Sequence, residues 1–303
     1  MMDFGGDLLQ PIEGYRSGYV ALLGKPNVGK STLMNALVGR KLSIVTAKPQ
    51  TTRQRILGIL TGDQFQIIFL DTPGVIEPRY RLHEAMMQSV RESVMEADLV
   101  LFMADATLDR PDMLSLDVAS DRPALLLINK MDLIRREEAL PLVDTYRSLR
   151  QFDEIIPISA VTGFNVPLVL EKIIDRLPEG PPFYPPDMIS EHPERFFVAE
   201  IIREKIIEQF REEIPYSAQV AIAQYLERAD GKDLIDAEII VERESQKGIL
   251  IGRKGQALKK IGMASRRDIE EFTGRPVFLR LFVKVRGDWR NRDVFLKSFG
   301  YRL

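Results

Sequence analysis

The chain has 303 residues, 45% of them hydrophobic and 28% charged, with a formal net charge of −2 at pH 7. This length and composition provide enough apolar material for two folded domains. The absence of cysteine excludes a disulfide framework and any thiolate metal site, and it suits a reducing cytoplasm. Residues 1–17 lack the basic start and apolar core of a signal peptide, and no apolar run reaches the roughly 20 residues of a membrane span. We therefore expect a soluble cytoplasmic protein, with peripheral association with the cytoplasmic membrane left open.

After a flexible N-terminus at residues 1–17, residues 18–177 alternate strand-like and helix-like runs, which predicts a doubly wound, mostly parallel α/β sheet. The strand-like runs are residues 19–23, 55–60, 64–70, 98–104, 124–129 and 154–158. The helical runs are residues 31–38, 82–96, 137–149 and 166–177. Because residues 61–63 alone separate the second strand from the third, we expect a hairpin and one antiparallel edge.

The first strand leads into a loop that fits the pattern G-x-x-x-x-G-K-S and ends in Lys30 and Ser31. Glycines in such a loop let backbone N–H groups converge on phosphate oxygens at a helix N-terminus. Lys30 would face the β- and γ-phosphates, and the Ser31 hydroxyl would ligate Mg²⁺. The nucleotide-contacting residues of this loop are predicted to be Gly24, Asn27, Val28, Gly29, Lys30, Ser31 and Thr32.

The third strand ends in the pattern D-x-x-G, with Asp71 and Gly74 at its fixed positions. A carboxylate at a strand end faces the ligand crevice of an open α/β sheet, so Asp71 can hold Mg²⁺ through water. Gly74 can bring its backbone N–H close to a γ-phosphate. A threonine before this motif should close on Mg²⁺ and the γ-phosphate; Thr51 and Thr52 compete for that role, and we favour Thr52. Residues 43–53 and 74–82 are therefore candidate switch segments.

The identity of the nucleotide base is indicated by the pattern N-K-x-D. Its residues Asn129, Lys130 and Asp132 follow a strand-like apolar run. Guanine presents two donors on one edge, which a single carboxylate at Asp132 can accept, whereas adenine would leave that carboxylate unpaired. Asn129 would tie this loop to the phosphate-binding loop, and the Lys130 stem would lie over the purine. Ser159 and Ala160 follow the last strand, and the Ala160 N–H could donate to the guanine carbonyl.

These four motifs, in this order, resemble the translation-factor-like family of GTPases over residues 18–177. Many GTPases have a water-positioning glutamine after D-x-x-G, but Val75 stands there, so hydrolysis must depend on a cation, a partner or backbone groups. No side chain is assigned as general base. The residues expected to support the phosphates and Mg²⁺ in the transition state are Lys30, Thr52, Asp71 and Gly74. In relatives with a similar loop, the asparagine is associated with potassium; at Asn27, that role and simple loop capping both stay open.

Residues 178–189 are rich in proline, which predicts a semi-rigid extended linker that continues no helix and holds no sheet ladder. Residues 190–303 then predict a smaller α+β domain. Helices are expected at 195–210, 256–272 and 290–299, and strands at 216–228, 234–243 and 276–286. Ile249 and Ile251 are expected in its core, with support of unstacked bases as the alternative. Trp289 is expected to be a packing anchor rather than a stacking surface.

This element order, with a G-x-x-G turn at residues 252–255, resembles the type II KH fold. Two glycines would let the backbone approach phosphates, which the basic pair between them would neutralise. From position 240 onward there are 16 Lys and Arg against 7 Asp and Glu, a balance of +9, so the preceding residues carry −11. A basic module on an acidic body points to a polyanionic partner. The predicted RNA-binding residues are Gly252, Arg253, Lys254, Gly255, Lys259 and Lys260, with Arg266 and Arg267 as weaker candidates.

With the W-R sequence at Trp289 and the Gly-Tyr near the end, the chain resembles the Era family of bacterial ribosome-assembly GTPases over nearly all of residues 15–303. The resemblance implies a monomeric GTP/GDP switch with Mg²⁺ that binds the 3′ end of small-subunit ribosomal RNA and assists maturation of the small ribosomal subunit. Two other classes stay open. One is a signalling GTPase whose basic module binds anionic lipid, and the other is a GTP hydrolase with a passive second domain.

Overall fold

The computed structural model describes residues 13–46, 48–108, 110–119, 122–229 and 231–303. The predicted flexible N-terminus lies outside the described residues as far as residue 12. The chain divides into two compact units. The first unit takes in the described chain up to Ser43, then Thr52–Glu77 and Met87–Glu191. The second takes in Ile44–Thr51, Pro78–Met86 and His192–Leu303, so parts of both predicted switch segments cluster with it.

The described part of the first unit contains a six-stranded sheet, which confirms the predicted fold class. Its strands are β1 (Arg16–Leu23), β2 (Ile56–Gly62), β3 (Phe65–Asp71), β4 (Leu99–Asp105), β5 (Ala124–Asn129) and β6 (Glu154–Pro157). Their order across the sheet is β2-β3-β1-β4-β5-β6. Strand β2 runs antiparallel to β3 and every other pair is parallel, as the predicted hairpin requires.

Helices accompany this sheet along the chain. They are α1 (Lys30–Val38), α2 (Arg81–Glu96), α3 (Met113–Ala119), α4 (Leu140–Leu149) and α5 (Val166–Ile174). All six residues of β5 are buried, which is typical of a parallel strand whose two faces are both covered. Helix α3 was not predicted because its seven residues are too few to show a helical apolar repeat, and in the structure its Met113 and Leu114 side chains are exposed.

The proline-rich segment at residues 178–189 has no helix or strand, but it does not stand apart as a linker. It belongs to the first unit, where the buried Gln66 side chain holds it. Gln66 Oε1 accepts hydrogen bonds from the N–H groups of Phe183 (2.7 Å) and Tyr184 (2.9 Å), and Gln66 Nε2 donates to the Tyr184 carbonyl at 2.8 Å. An isolated bridge pairs Glu179 with Arg16, which is a single pairing and not a sheet ladder.

The second unit has a three-stranded sheet in its described residues, with helices packed against it. The strands are β7 (Gln219–Leu226), β8 (Asp233–Val241) and β9 (Val277–Val285), in that order. The helices are α6 (Glu194–Gln209), α7 (Ile214–Ser217), α8 (Glu244–Ile251), α9 (Gln256–Thr273) and α10 (Asp293–Ser298). Strands β7 and β8 are antiparallel, β8 and β9 are parallel, and the arrangement confirms the predicted small α+β domain.

In this unit, the start of one strand differs from the sequence prediction, and the predicted role of Trp289 is confirmed. The strand predicted to begin at Tyr216 begins at Gln219, because Pro215 lies in the first turn of a short helix that includes Tyr216 and Ser217. Trp289 is fully buried and its indole N–H donates to the Ser217 carbonyl at 2.9 Å, which confirms it as a packing anchor. No helix in the described part of the chain has the length and apolar character needed to cross a membrane.

Candidate nucleotide site and nucleic-acid interface

The loop between β1 and α1 is organised around the buried ammonium of Lys30. This side chain is 6% exposed, and Nζ donates at 2.9 Å to the carbonyls of both Gly24 and Lys25. Burial lowers the pKa of Lys30 to about 8, while the nearby carboxylates of Asp71 and Asp112 act in the opposite direction. A buried cation held by main-chain carbonyls at the start of a helix is suited to exchange those partners for phosphate oxygens.

Three glycines of the predicted site are required by close contacts. A Cβ at Gly29 would lie 2.2 Å from the Asn129 amide nitrogen, and one at Gly24 would lie 2.5 Å from a main-chain oxygen. A Cβ at Gly74 would lie 2.5 Å from the backbone nitrogen of Pro26, so the D-x-x-G turn packs directly on the phosphate loop. The structure thus brings these positions together, as the two motifs predicted.

The predicted Mg²⁺ ligands form one cluster. Ser31 Oγ donates to Asp71 Oδ2 at 2.7 Å and lies 3.0 Å from the hydroxyl of Thr52, which is 3.4 Å from the same carboxylate oxygen. Burial raises the pKa of Asp71, and its other oxygen, Oδ1, is buried with no hydrogen-bond partner among the described residues. Two hydroxyls beside an incompletely satisfied carboxylate form the hard oxygen donor set that Mg²⁺ prefers. The Thr51 carbonyl accepts a hydrogen bond from Arg203 Nη2.

Val75 occupies the position where many GTPases have glutamine. It is 3% exposed, and its N–H donates to the Gly24 carbonyl at 3.1 Å. An apolar buried side chain can neither donate to nor accept from a water molecule. Asn27, in the facing loop, is exposed and has a left-handed backbone with φ of 62°.

The predicted base-binding loops are joined by hydrogen bonds. Asn129 Nδ2 donates to the Val28 carbonyl at 2.7 Å, which confirms that Asn129 ties this loop to the phosphate loop. Its Oδ1 accepts from the Ala160 N–H at 2.9 Å, so that N–H is directed at Asn129 in this structure and not toward a base. Ser159 Oγ donates to Asp132 Oδ1 at 2.6 Å and so orients the exposed carboxylate predicted to read guanine.

One residue of this region was missed from the sequence. Asp105 ends β4 directly beside Asn129 in the sheet register, and its Oδ2 pairs with Lys130 Nζ at 2.5 Å. This pair holds the lysine stem that was predicted to lie over the purine. The available signal was the one used for Asp71, a carboxylate at the end of a buried parallel strand.

The G-x-x-G turn of the second unit has an unusual backbone at three of its four positions. Gly252, Lys254 and Gly255 have φ values of 70°, 52° and 76°. A Cβ at Gly252 would lie 2.7 Å from the Cβ of Ala257, so that glycine is required by space as well as by conformation. The side chains of Arg253 and Lys254 are exposed. The turn therefore presents main chain and two cations to solvent at the start of α9.

A groove of about 400 Å³ lies beside this turn, between α9 and β9. Its lining residues are Gly255, Leu258, Lys259, Gly262, Met263, Arg266, Leu279 and Leu281. Leucine and methionine side chains supply apolar surface, and two cations add positive charge. Unstacked bases and their phosphates need surfaces of these two kinds close together.

Only some of the basic residues predicted on α9 line the groove. Lys259 and Arg266 line it, whereas Lys260 does not and Arg267 pairs with Asp268 at 3.0 Å. The expectation that Ile249 fills the core is wrong, since it is 48% exposed next to the turn. Leu279 and Leu281 were missed because alternate residues of a strand do not reveal which ligand passes over them.

Comparison with known proteins agrees with this geometry. Residues 19–130 match the family described as 50S ribosome-binding GTPase, and residues 213–290 match the KH domain family. The chain is 50% identical over 294 residues to the chloroplastic GTPase ERA1 of Zea mays, covering 95% of this chain and 71% of that protein. It is 45% identical to the GTPase Era of Geotalea daltonii, covering 95% of this chain and 98% of that protein.

Two solved structures match this chain over nearly its whole length. One is an Aquifex aeolicus Era variant bound to GDP and AlF₄⁻, and the other is Era in complex with MgGDPNP and nucleotides 1506–1542 of 16S ribosomal RNA. Each has a TM-score of 0.91 and 44% identity to this chain, and each match covers 95% of this chain and 100% of the other.

Proposed function

Because the chain belongs to the Era family of GTPases, we propose that it is a GTP-controlled switch that binds the 3′ end of small-subunit ribosomal RNA and assists maturation of that subunit. It is a GTPase that carries a KH domain. The proposal adds the RNA partner, the process and the residues that carry each step.

The nucleotide part of the proposal assigns the triphosphate to the loop before α1. Lys30 would exchange its two carbonyl partners for phosphate oxygens, and Asp132, oriented by Ser159, would accept the two guanine donors. Ser31, Thr52 and, through water, Asp71 would hold Mg²⁺, which supplies positive charge to the phosphates when bound. The buried Oδ1 of Asp71, which has no hydrogen-bond partner in the described part of the chain, supports this assignment.

Hydrolysis in this proposal depends on positioning rather than on a general base. Val75 leaves the water without a side-chain partner at the usual position, so backbone N–H groups of the turn at Gly74 and the loop cations must supply the electrostatic stabilisation. Asn27 is the side chain that would hold a potassium ion, and replacing K⁺ by Na⁺ in a hydrolysis assay tests that role.

The RNA part rests on one observation: the groove between α9 and β9 opens beside the strained turn at residues 252–255. Phosphates would lie on the turn, where the main chain is accessible and Arg253 and Lys254 are exposed. Bases would lie in the groove, against Leu258, Leu279 and Leu281. Single-stranded RNA fits this arrangement because its bases are free to leave the backbone.

The test is the affinity of the full chain for a single-stranded RNA with the sequence of the 3′ end of small-subunit ribosomal RNA. We expect the double variant Arg253→Asp with Lys254→Asp to weaken RNA binding about 100-fold. The slope of log affinity against log salt concentration should fall by the amount that corresponds to about two lost phosphate contacts. GTP hydrolysis should be unchanged. The matched control is Arg211→Asp with Lys232→Asp, which makes the same change of charge at exposed positions of the second unit outside the groove.

The two double variants also separate RNA binding from binding to anionic lipid. Lipid attraction depends on total charge near the surface, so binding to phosphatidylserine vesicles should fall equally in both. RNA binding should fall only in the variant at the turn. Equal RNA affinities of the two folded variants would overturn the proposed role of the groove.

A further inference from the structure

The first predicted switch segment is attached to the second unit at two points. Residues Ile44–Thr51 cluster with that unit, and Lys48 Nζ donates to the carbonyls of Ile207 and Phe210 at the C-terminal end of α6. A cation at that end of a helix satisfies carbonyls that have no partner within the helix. Nearer the middle of α6, Arg203 reaches the same segment and donates through Nη2 to the Thr51 carbonyl.

Arg203 is unusual for a residue in the interior of a small domain. It is 1% exposed, and its guanidinium also pairs with Glu200, where Nε lies 2.8 Å from Oε1. Neighbouring positions of α6 that face the core are aliphatic, among them Ile202 and Ile206. An ion pair that buries its charge stabilises a fold little more than apolar residues of similar volume would. Stability of the core is therefore not a sufficient reason for a guanidinium at this position.

Lys205 on the same helix provides a comparison within the structure. It is 8% exposed and lies 2.7 Å from Asp268 and 3.1 Å from Glu208. Its ion-pair partners Glu204, Glu208 and Asp268 all belong to residues 192–303, and the pair with Asp268 joins α6 to α9. Arg203 differs because one of its partners is a main-chain carbonyl of the switch segment.

We propose that Arg203 is a positioning residue for GTP hydrolysis, which fixes the Thr51 carbonyl and thereby the orientation of the Thr52 hydroxyl. The peptide bond links the two threonines directly, and the Thr52 hydroxyl lies 3.0 Å from Ser31 Oγ and 3.4 Å from Asp71 Oδ2. Gln50, just before them, has a left-handed backbone with φ of 61° and contacts His83 at 3.3 Å, so the approach to Thr51 is also fixed. This inference rests on the proposed Mg²⁺ site.

The test compares Arg203→Met with Lys205→Met in the full chain. In Arg203→Met, we expect kcat for GTP to fall about tenfold, the equivalent of 1.4 kcal/mol in the barrier, with KM unchanged. Amide hydrogen exchange of residues 44–53 should become faster, both with and without a non-hydrolysable GTP analogue and Mg²⁺. Lys205→Met should leave kcat and the exchange of this segment as in the wild type.

Further variants keep the result interpretable. If Arg203→Met does not fold, the double variant Glu200→Met with Arg203→Met removes both charges of the pair and should show the same loss of kcat and the same faster exchange. Arg203→Lys keeps a cation near the carbonyl and should recover part of kcat. Wild-type kcat and wild-type exchange in the folded double variant would overturn the inference.

Thr52→Ala separates this inference from the proposed Mg²⁺ site. Undiminished, Mg²⁺-dependent hydrolysis in Thr52→Ala would contradict the site itself. Loss of hydrolysis in Thr52→Ala, together with normal kcat in Arg203→Met, would contradict only the positioning role.

Discussion

The two glycine-containing loops, residues 24–31 and 252–255, present their cations to the proposed phosphates in different ways. In the first, the Lys30 cation is buried and held by main-chain carbonyls. In the second, Arg253 and Lys254 are exposed. A buried site suits one compact ligand of fixed shape, whereas an exposed turn can follow a long polymer whose contacts vary along its length.

Gly29 and Gly255 differ in what a side chain would meet. At Gly29, a Cβ would lie 2.2 Å from the Asn129 amide nitrogen, and the φ of 105° also disfavours a side chain, so space and conformation both require glycine. At Gly255, nothing lies within 4 Å of a Cβ, and the requirement is the left-handed φ of 76° alone. Gly29 thus protects a network of contacts as well as a backbone conformation, whereas Gly255 protects only a conformation.

Alanine substitutions at Gly29 and Gly255 test the difference between the two loops. Gly29→Ala should lower the affinity for GTP about 100-fold, because it displaces Asn129 and with it two buried hydrogen bonds of about 1–3 kcal/mol each. Gly255→Ala should leave GTP affinity unchanged and lower the free energy of unfolding by about 1–2 kcal/mol through backbone strain alone. Titration calorimetry with a non-hydrolysable GTP analogue and denaturant unfolding measure the two quantities.

Gly39 provides the matched control in the first unit. It has a φ of 73° at the end of α1 and nothing within 4 Å of a Cβ. Gly39→Ala should therefore behave like Gly255→Ala, with lower stability and normal GTP affinity. Equal GTP affinities of Gly29→Ala and Gly39→Ala would show that contact with Asn129 is not what the glycine protects.

The parts of the fold that could be predicted are those with strong local signals. A buried strand followed by G-x-x-x-x-G-K-S, D-x-x-G or N-K-x-D places its polar residues at one edge of a parallel sheet, and Lys30, Asp71 and Asn129 lie there. In the second unit, the order of the helices and strands was predictable, but their exact boundaries were not. Helix α7 was missed because four residues are too few to show a helical repeat, and Tyr216 directly precedes the strand-like residues of β7.

The remainder of both sites depends on contacts between distant parts of the chain. Asp105 meets Lys130 because β4 and β5 are neighbours, and Leu279 lines the groove because β9 faces α9. The contact between Arg203 and Thr51 joins residues 152 positions apart. No local pattern in a single sequence records such pairs, since each residue alone is also compatible with an ordinary surface or core position.

Filling the groove beside the second loop tests whether bases bind there. Gly262 lies within α9 on the groove wall, and a Cβ there would lie 3.5 Å from Leu281, an ordinary contact. Gly262→Leu should fill the groove and lower RNA affinity about tenfold, similar to the 1–3 kcal/mol of one lost stacking contact. GTP hydrolysis should not change. Fluorescence anisotropy with the 3′-end RNA measures the effect.

Gly262→Ala is the control for that substitution. Glycine within a helix is less stable than alanine by about 0.5–1 kcal/mol, so this variant should be more stable than the wild type while its RNA affinity changes little. Wild-type RNA affinity in a folded Gly262→Leu protein would place the bases outside the groove, even if the turn at residues 252–255 still binds phosphate.

Binding of a diphosphate should cause Lys30 to take up a fraction of a proton. Burial lowers its pKa to about 8, so at pH 8 about half of the molecules carry a neutral amine. A bound diphosphate favours the charged form, so binding of GDP without Mg²⁺ should take up about half a proton at pH 8 and about a tenth at pH 7. Calorimetry in two buffers of different ionisation enthalpy measures this number.

Replacing Asp71 should change the proton uptake in a predictable direction. Asp71 raises the pKa of Lys30, so Asp71→Asn should lower that pKa further and leave more of the amine neutral at pH 8. Proton uptake on GDP binding should then exceed half a proton in the variant, although its net charge is more positive. Equal uptake of clearly more than zero in both proteins would mean that the two buried groups are electrostatically independent. Uptake near zero in both would mean that Lys30 stays fully charged and that phosphate merely replaces the carbonyls of Gly24 and Lys25 as its partners.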